Sequence, residues 1–214
     1  MIKSKIATVA LCVGLISTSV MAKGGHHNNQ GNSNNTSYVE NVVNTSVFSE
    51  LSDQQKDDII FMYQDEKMAR DVYTVLGELW DSNVFVNIQK AEQKHMDSVK
   101  TLLDKYSLPI PVIEDEIGVF ENSTIQAMYD QLVEQGKESL EEAIRVGILI
   151  EETDIADLEA RLTDTPEDIK AVYENLLHGS YNHLNAFNRV LDTTQTTTTQ
   201  RGGKQGSQGR HGRQ

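Results

Sequence analysis

The segment AEQKHMDSV places a glutamate and a histidine three residues apart, at Glu92 and His95. In a helix, this spacing puts both side chains on one face. Ile88 and Val99 lie on the same face, so the pattern predicts that this face is directed to the core. Ionisable groups are rarely buried without a partner, because burial disfavours the charged form. The segment therefore predicts partner groups on neighbouring helices.

The other long predicted helices also carry ionisable residues within their apolar stripes. Glu66 interrupts the stripe of the first helix, and His183 lies in the stripe of the fourth. In the third helix, Glu151 lies in the stripe and Asp154 follows one turn later on nearly the same face. Asp65, beside Glu66, is predicted to be solvated. The pattern therefore predicts that carboxylates and imidazoles from four helices meet in one core.

Several carboxylates gathered in one core would repel one another, and each would lose its hydration. Neither lysine nor arginine occurs at the same level of these stripes. A bound cation would relieve the repulsion, and a metal-free polar core with protonated carboxylates is the alternative. Carboxylate and imidazole ligands without sulfur suit iron, manganese or zinc. The predicted metal ligands are Glu66, Glu92, His95, Glu151, Asp154 and His183.

Length and charge limit the classes of protein that this chain can belong to. The 214 residues suffice for one domain with a core and two tails. The net charge of −13 argues against nonspecific nucleic-acid binding, which needs a basic surface, but is compatible with attracting cations. Cys12 is the only cysteine and lies in the N-terminal apolar segment, so we expect no disulfide and no thiolate ligand in the mature chain.

The N-terminus has the pattern of an export signal. Lys3 and Lys5 precede an uncharged apolar run, and residues of small or modest size, Val20-Met21-Ala22, precede a predicted cleavage after Ala22. A retained membrane anchor is the alternative, although the run is short for a spanning helix. Cleavage would give a periplasmic or secreted protein without a stable membrane anchor. The predicted organisation is a signal peptide at 1–22, a disordered polar segment at 23–50, a folded domain at 51–193 and a disordered tail at 194–214.

Helical periodicity dominates the predicted domain, and no strand of any length is indicated. A Ser52–Gln55 capping box opens the first helix, Ser123 with Gln126 is predicted to cap a short helix, and Ser139 with Glu142 caps the third long helix. Turns between the first and second long helices and between the third and fourth are short. A longer link separates the second from the third. This pattern predicts an all-α fold, a four-helix bundle with a long crossover between helices 2 and 3.

The segments EKMARDVY, EETDIADLE and LLHGSYNHLNAF resemble the DUF2202 family, which is regarded as ferritin-like. Ferritin-like di-iron proteins place one glutamate on each of two helices and Glu-x-x-His on each of the other two. The resemblance implies that Glu92 bridges two metals. It also implies that Glu66 and Glu151 are terminal ligands, and that His95 and His183 each bind one metal.

The second Glu-x-x-His motif departs from this pattern, because Ser180 stands where a glutamate is expected. One hypothesis is that Asp154 supplies the missing carboxylate from the third helix. Otherwise the site has one carboxylate fewer and holds one metal, or two asymmetrically, with Ser180 leaving an open position or bonding to a metal-bound water. Tyr63, Tyr73 and Tyr173 lie near the same level, either as core packing or as hydrogen-bonding or redox-active groups beside the metals.

The resemblance implies a ferritin-like metal-binding protein, and the N-terminal pattern indicates that it is exported. The function expected is that of an oxidoreductase with a dinuclear iron or iron–manganese site acting on dioxygen or peroxide. The alternatives are a non-catalytic metal-binding or storage protein, with manganese or zinc also acceptable, and a structural module with a vestigial site. A rubredoxin-like Cys-x-x-Cys donor is absent from the sequence, so electrons would come from a separate partner.

Overall fold

The computed structural model describes residues 50–111 and 115–203, with side chains described as far as residue 195. The predicted signal peptide, nearly all of the polar N-terminal segment and residues 204–214 of the predicted tail lie outside the described residues. Within them the fold is all-helical and contains no strand: α1 (Asp53–Trp80), α2 (Asn83–Tyr106), α3 (Ser123–Gly136), α4 (Leu140–Arg161) and α5 (Glu167–Gly203). None of these helices is long and apolar enough to cross a membrane. The last helix continues ten residues past the predicted domain end at 193.

The sequence predicted the N-terminal capping residues of three helices, and two of these predictions agree with the structure. Ser52 and Gln55 form a reciprocal capping box at α1, and the Ser139 side chain accepts a hydrogen bond from the Glu142 amide at α4. The prediction for the short helix is wrong by one residue. Asn122 caps α3, because its Oδ1 accepts hydrogen bonds from the backbone amides of Thr124 and Ile125. The Gln126 side chain binds the preceding loop instead.

Contacts at the helix ends define the relative directions of the long helices. At one end, Arg161 of α4 contacts Asp58 of α1, and Tyr106 of α2 donates to Asp168 of α5. At the opposite end, the Trp80 indole of α1 donates to the Gly136 carbonyl of α3. Each of α1 and α5 therefore runs antiparallel to both α2 and α4, and the link from α2 to α4 crosses the length of the molecule. α3 belongs to this crossover and packs on α1 and α4.

A buried ionic network fastens the crossover segment to α1. Lys67 Nζ lies 2.5 Å from Asp71 Oδ2 and donates to the Glu116 carbonyl at 2.7 Å. Arg70 binds the other oxygen of Asp71 and forms a two-point pair with Asp115. A backbone amide of the crossover also donates to Asp71. This network occupies the side of α1 next to the crossover.

Two apolar clusters form the core and lie toward opposite ends of the long helices. One cluster includes Tyr73, Phe85 and Phe187, whose rings pack together with centroids 5.2–5.8 Å apart. The other includes Ile59, Leu102 and other residues nearer the opposite end. The ionisable residues of the predicted site occupy the stretch of each long helix between these clusters, so two apolar layers enclose one polar layer.

Candidate metal centre

The polar layer contains two groups of potential metal ligands that share one glutamate. Glu66, Glu92 and His95 form the first group, and Glu92, Glu151 and His183 form the second. In each group, one ligand atom from every residue lies within 4.8 Å of the other two. These are the two such groups of histidine, cysteine, aspartate or glutamate in the part of the chain that the structure describes. We call them position A and position B.

Glu92 lies between the two imidazoles. Its Oε2 is 2.8 Å from His95 Nδ1, and its Oε1 is 2.8 Å from His183 Nδ1. Glu66 Oε2 lies 3.2 Å from His95 Nδ1, whereas Glu151 Oε2 lies 3.6 Å from His183 Nδ1. The two imidazole rings stack with centroids 5.4 Å apart. Each imidazole therefore faces two carboxylates through its Nδ1 atom, and the two positions lie side by side.

Several of the site atoms are buried without a hydrogen-bond partner among the described residues. They are Glu66 Oε1, Glu92 Oε1, Asp154 Oδ1 and His183 Nδ1. Glu92 Oε1 and His183 Nδ1 are close, but they are not aligned as a hydrogen bond. Buried polar atoms are usually paired, and unpaired charges are costly. Lone pairs that converge in this way fit a bound cation, and the oxygen and nitrogen donor set fits iron, manganese or zinc.

A cavity of about 10 Å³ lies against this cluster, between α1 and α4. Its size corresponds to about one water molecule. Its lining residues are Asp65, Glu66, Ala69, Glu92, Ile150, Glu151 and Asp154. Five of the seven lining residues are carboxylates, so the space is suited to a cation or a small polar molecule.

Asp154 and Ser180 face each other across the boundary between α4 and α5. Both are buried, and the Ser180 hydroxyl donates to Asp154 Oδ2 and also lies 3.0 Å from the Leu176 carbonyl. Burial and the charge of Glu66 raise the pKa of Asp154 well above its usual value. A carboxylate from α4 thus lies directly beside the residue that replaces the expected glutamate of α5.

Asp65 is not solvated, so the sequence prediction for this residue was wrong. It is 6% exposed and lines the cavity. Burial and then the charge of Asp154 raise its pKa well above the usual value. The error arose because α1 is enclosed almost all round over residues 64–73, with α2, α3 and α4 packed on it. A rule that assigns one buried face per helix fails on such a stretch.

The three tyrosines near the site have different environments. The Tyr73 hydroxyl is buried and donates to Glu151 Oε1 at 2.6 Å, so Tyr73 orients a predicted ligand of position B. Tyr173 is also buried, but its hydroxyl has no hydrogen-bond partner within the described part of the chain. Tyr63 is half-buried. Of the three, Tyr73 touches the candidate site.

Gly179 provides the space for the His95 ring. A Cβ atom at Gly179 would clash with His95 Nε2, because it would lie far inside van der Waals contact. Gly179 is helical, so its role is to allow close approach rather than an unusual backbone conformation. The only indication of this close approach in the sequence is a glycine in the middle of a helix, four residues before His183.

The electrostatics separate Glu92 from the outer glutamates. Burial raises the pKa of Glu66 and of Glu151 to about 8. Burial would also raise that of Glu92, but His183 and His95 lower it to about 2. Burial lowers the pKa values of the two imidazoles, but the facing carboxylates outweigh this effect. The net result is a raised pKa, of about 11 for His95 and about 10 for His183. In the metal-free protein, Glu92 is therefore a carboxylate between two imidazolium groups.

The fold and the site together define an all-helical protein with a buried cluster of carboxylates and imidazoles contributed by α1, α2, α4 and α5. The chain belongs to the DUF2202 family: residues 55–204 match the model of an uncharacterized protein domain with that designation.

The chain is also similar to the following proteins. The chain is 50% identical over 143 residues to uncharacterized protein MJ0754 of Methanocaldococcus jannaschii, covering 66% of this chain and 77% of that protein. The crystal structure of hypothetical protein MJ0754 superposes with a TM-score of 0.66 at 48% identity, covering 67% of this chain and 83% of that one. A DUF305 fragment from Deinococcus radiodurans, at 14% identity, has a TM-score of 0.50 over 66% of this chain and 97% of that one, and shows likeness of fold alone.

Proposed function

We propose that this protein is a ferritin-like four-helix bundle that binds two iron ions, or one iron and one manganese, at positions A and B. The observation that carries the proposal is the sharing of Glu92 between the two ligand groups. Its two oxygens face different imidazoles, as a bridging carboxylate requires. The buried atoms without partners support the same conclusion, because an ion at each position would satisfy them.

Each residue has a distinct role in the proposed site. Glu92 bridges, Glu66 and His95 complete position A, and Glu151 and His183 complete position B. Tyr73 fixes the orientation of Glu151, in the way that outer hydrogen bonds commonly tune a metal ligand.

Asp154 replaces the carboxylate that Ser180 lacks. The Ser180 hydroxyl holds one oxygen of Asp154, and the other oxygen is buried and free to bind an ion. Asp154→Ala should therefore lower the number of bound ions or weaken their binding. Unchanged stoichiometry and affinity, measured by titration with elemental analysis, would remove Asp154 from the site.

The small cavity favours a small oxidant over an organic substrate. About 10 Å³ of free space beside the ligands has room for little more than a water molecule. A pair of ferrous ions at positions A and B would supply two electrons, which with two protons would reduce one hydrogen peroxide to two waters. The surrounding apolar clusters exclude bulk water, and the carboxyl groups of the layer can hold the protons. Return to the ferrous state requires an external electron donor.

The proposed reaction is tested with the protein loaded with ferrous iron in the absence of oxygen. Addition of one equivalent of peroxide per iron pair should change the near-ultraviolet absorbance and consume the peroxide. Re-reduction should allow a second turnover. A protein that purifies with zinc alone and stays silent to peroxide after iron loading would contradict the redox function.

The alternative function is uptake or storage of metal without turnover. The small size of the cavity also favours this alternative, because the ion itself is then the cargo and needs no further substrate. Stoichiometric iron binding without peroxide consumption would support it. We also propose that the protein is exported, on the strength of the N-terminal pattern ending at Ala22. N-terminal sequencing of the protein from its native cells would test cleavage at that point.

A further inference from the structure

A row of carboxylates lies between α1 and α4, and all of them except Asp154 are additional to the ligands of the proposed centre. On α1, Asp58 and Asp65 are seven residues apart, which is about two helical turns and the same face. On α4, Asp154 and Asp157 are one turn apart. Arg161 follows Asp157 by one further turn. The row begins at the end of the molecule where α4 terminates and leads to the polar layer.

The outer part of the row is partly open to solvent. Arg161 Nε lies 3.3 Å from Asp58 Oδ1, and Arg161 Nη1 lies 3.4 Å from Asp157 Oδ1. The Asp58 and Asp157 side chains are 21% and 19% exposed. The second oxygen of Asp157 is buried and has no hydrogen-bond partner among the described residues. This outer group therefore connects solvent with a carboxylate oxygen that is free to bind a cation.

The inner part of the row reaches the candidate centre. Asp65 and Asp154 are buried and line the same cavity as Glu66 and Glu92. The Oδ1 atom of Asp154 is buried and unpartnered. The charges of Asp154 and Asp157 both act on Asp65, so the three carboxylates lie within electrostatic reach of one another.

Buried carboxylates of this kind destabilise a fold unless a cation, a hydrogen-bond partner or protonation offsets the cost, because each loses hydration and repels the others. They do not form a third closed site, since only positions A and B bring three ligand atoms together in the described part of the chain. A series of single carboxylates instead suits successive, weak coordination of an ion in transit.

We propose that this row is the route by which divalent cations enter the dinuclear centre, with Arg161 closing its outer end. The inference rests on the proposed metal-binding function. An incoming cation would displace Arg161 from Asp157, and would then exchange ligands through Asp157, Asp65 and Asp154 before reaching Glu66 and Glu92. The Arg161 guanidinium, 4.9 Å from the centre of the Phe61 ring, rests against that ring while the route is closed.

The test is the rate at which the full chain, stripped of metal by a chelator, takes up cobalt(II), followed by stopped-flow absorbance. Asp157→Asn keeps the size of the side chain and removes its charge. It should slow uptake about tenfold without changing the number of ions bound at equilibrium. Arg161→Gln should accelerate uptake. Asp57→Asn is the matched control, because it removes the same charge from an exposed position next to Asp58 and should leave the rate unchanged.

The outcomes separate the two proposals. Wild-type protein that binds cobalt while Asp157→Asn loads at the wild-type rate would overturn the route and leave the centre standing. Equal slowing by Asp57→Asn and Asp157→Asn would also overturn it, since the effect would then be one of overall charge. Wild-type protein that binds no cobalt would overturn the proposed centre itself.

Discussion

At the scale of single residues, Glu92 distinguishes this site from an ordinary buried polar cluster. A structural glutamate in a helical core normally has one partner that neutralises it. Glu92 has two imidazoles, one at each oxygen, and the Nδ1 atom of each imidazole also faces a second carboxylate. A set of one imidazole and two carboxylates therefore occurs twice, with Glu92 in both sets. The proposal of two ions rests on this repetition.

Tyr73→Phe tests the orientation of Glu151. The ring packing against Phe85 and Phe187 is retained, so the fold should persist, but Glu151 loses a 2.6 Å hydrogen bond. We expect metal affinity at position B to fall about 10-fold or more, as measured by competition with a chromophoric chelator. Tyr173→Phe is the control, because it removes a buried hydroxyl without a partner and should leave both affinity and stability nearly unchanged. Equal effects of the two variants would show that Tyr73 acts through packing alone.

At the scale of the helices, the site depends on how closely α5 approaches α2. Gly179→Ala places a methyl group where the His95 ring lies. The ring must then rotate away from Glu66 and Glu92, so binding at position A should weaken while far-ultraviolet circular dichroism is unchanged. Asn175→Ala, at an exposed position on the same helix, is the control and should bind metal as the wild type does. Wild-type affinity in Gly179→Ala would contradict the assignment of His95 as a ligand.

The side of α1 that faces away from the candidate site binds the crossover segment through the buried ionic network. Asp71→Asn leaves Lys67 buried without a full counter-charge, and should lower the free energy of unfolding by about 3–5 kcal/mol. Asp104→Asn breaks the exposed Lys100–Asp104 pair of the same spacing, and should lower the free energy of unfolding far less, because exposed ion pairs contribute little to stability. Urea denaturation measures both. Equal losses in the two variants would show that the buried network does not hold the crossover in place.

The sequence predicted the helices and the participants in the site better than it predicted their surroundings. Periodicity is a local property, so the bounds of α1 and α2 and the positions of Glu66 and Glu92 could be read directly from it. The burial of Asp65 could not, because it depends on three helices that pack around α1. The ion pairs of Arg70 could not either, since its partner Asp115 lies 45 residues away in an irregular segment.

At the scale of the whole molecule, the polar layer of carboxylates and imidazoles lies between the two apolar clusters. The free energy of unfolding of the metal-free protein should therefore depend on pH. Glu66 and Glu151 have folded pKa values of about 8, above the usual 4.5, so the folded state binds more protons than the unfolded state between these values. The pKa values of His95 and His183 are also raised, so above pH 6.5 these groups too bind more protons in the folded state than in the unfolded state. Glu92, whose pKa is lowered to about 2, binds fewer protons in the folded state than in the unfolded state, but only below about pH 4.5.

The melting temperature of the chelator-treated protein should therefore fall as the pH rises from 5 to 8. Glu151→Gln should make this fall shallower, because it removes one of the titrating groups. Saturating metal should oppose the fall, since bound ions favour the deprotonated ligands. A melting temperature that rises over this range in the metal-free protein would contradict the assigned protonation of the layer.

The most direct test of the dinuclear centre is the number of metal ions bound per chain, measured by elemental analysis after anaerobic loading with ferrous iron and removal of the excess. The wild type should bind two ions. Glu66→Ala and Glu151→Ala should each bind one, because each variant loses a ligand of a single position. Glu92→Ala should bind none, since Glu92 serves both positions. Wild-type protein without bound iron, or Glu92→Ala with two ions, would contradict the shared-glutamate centre.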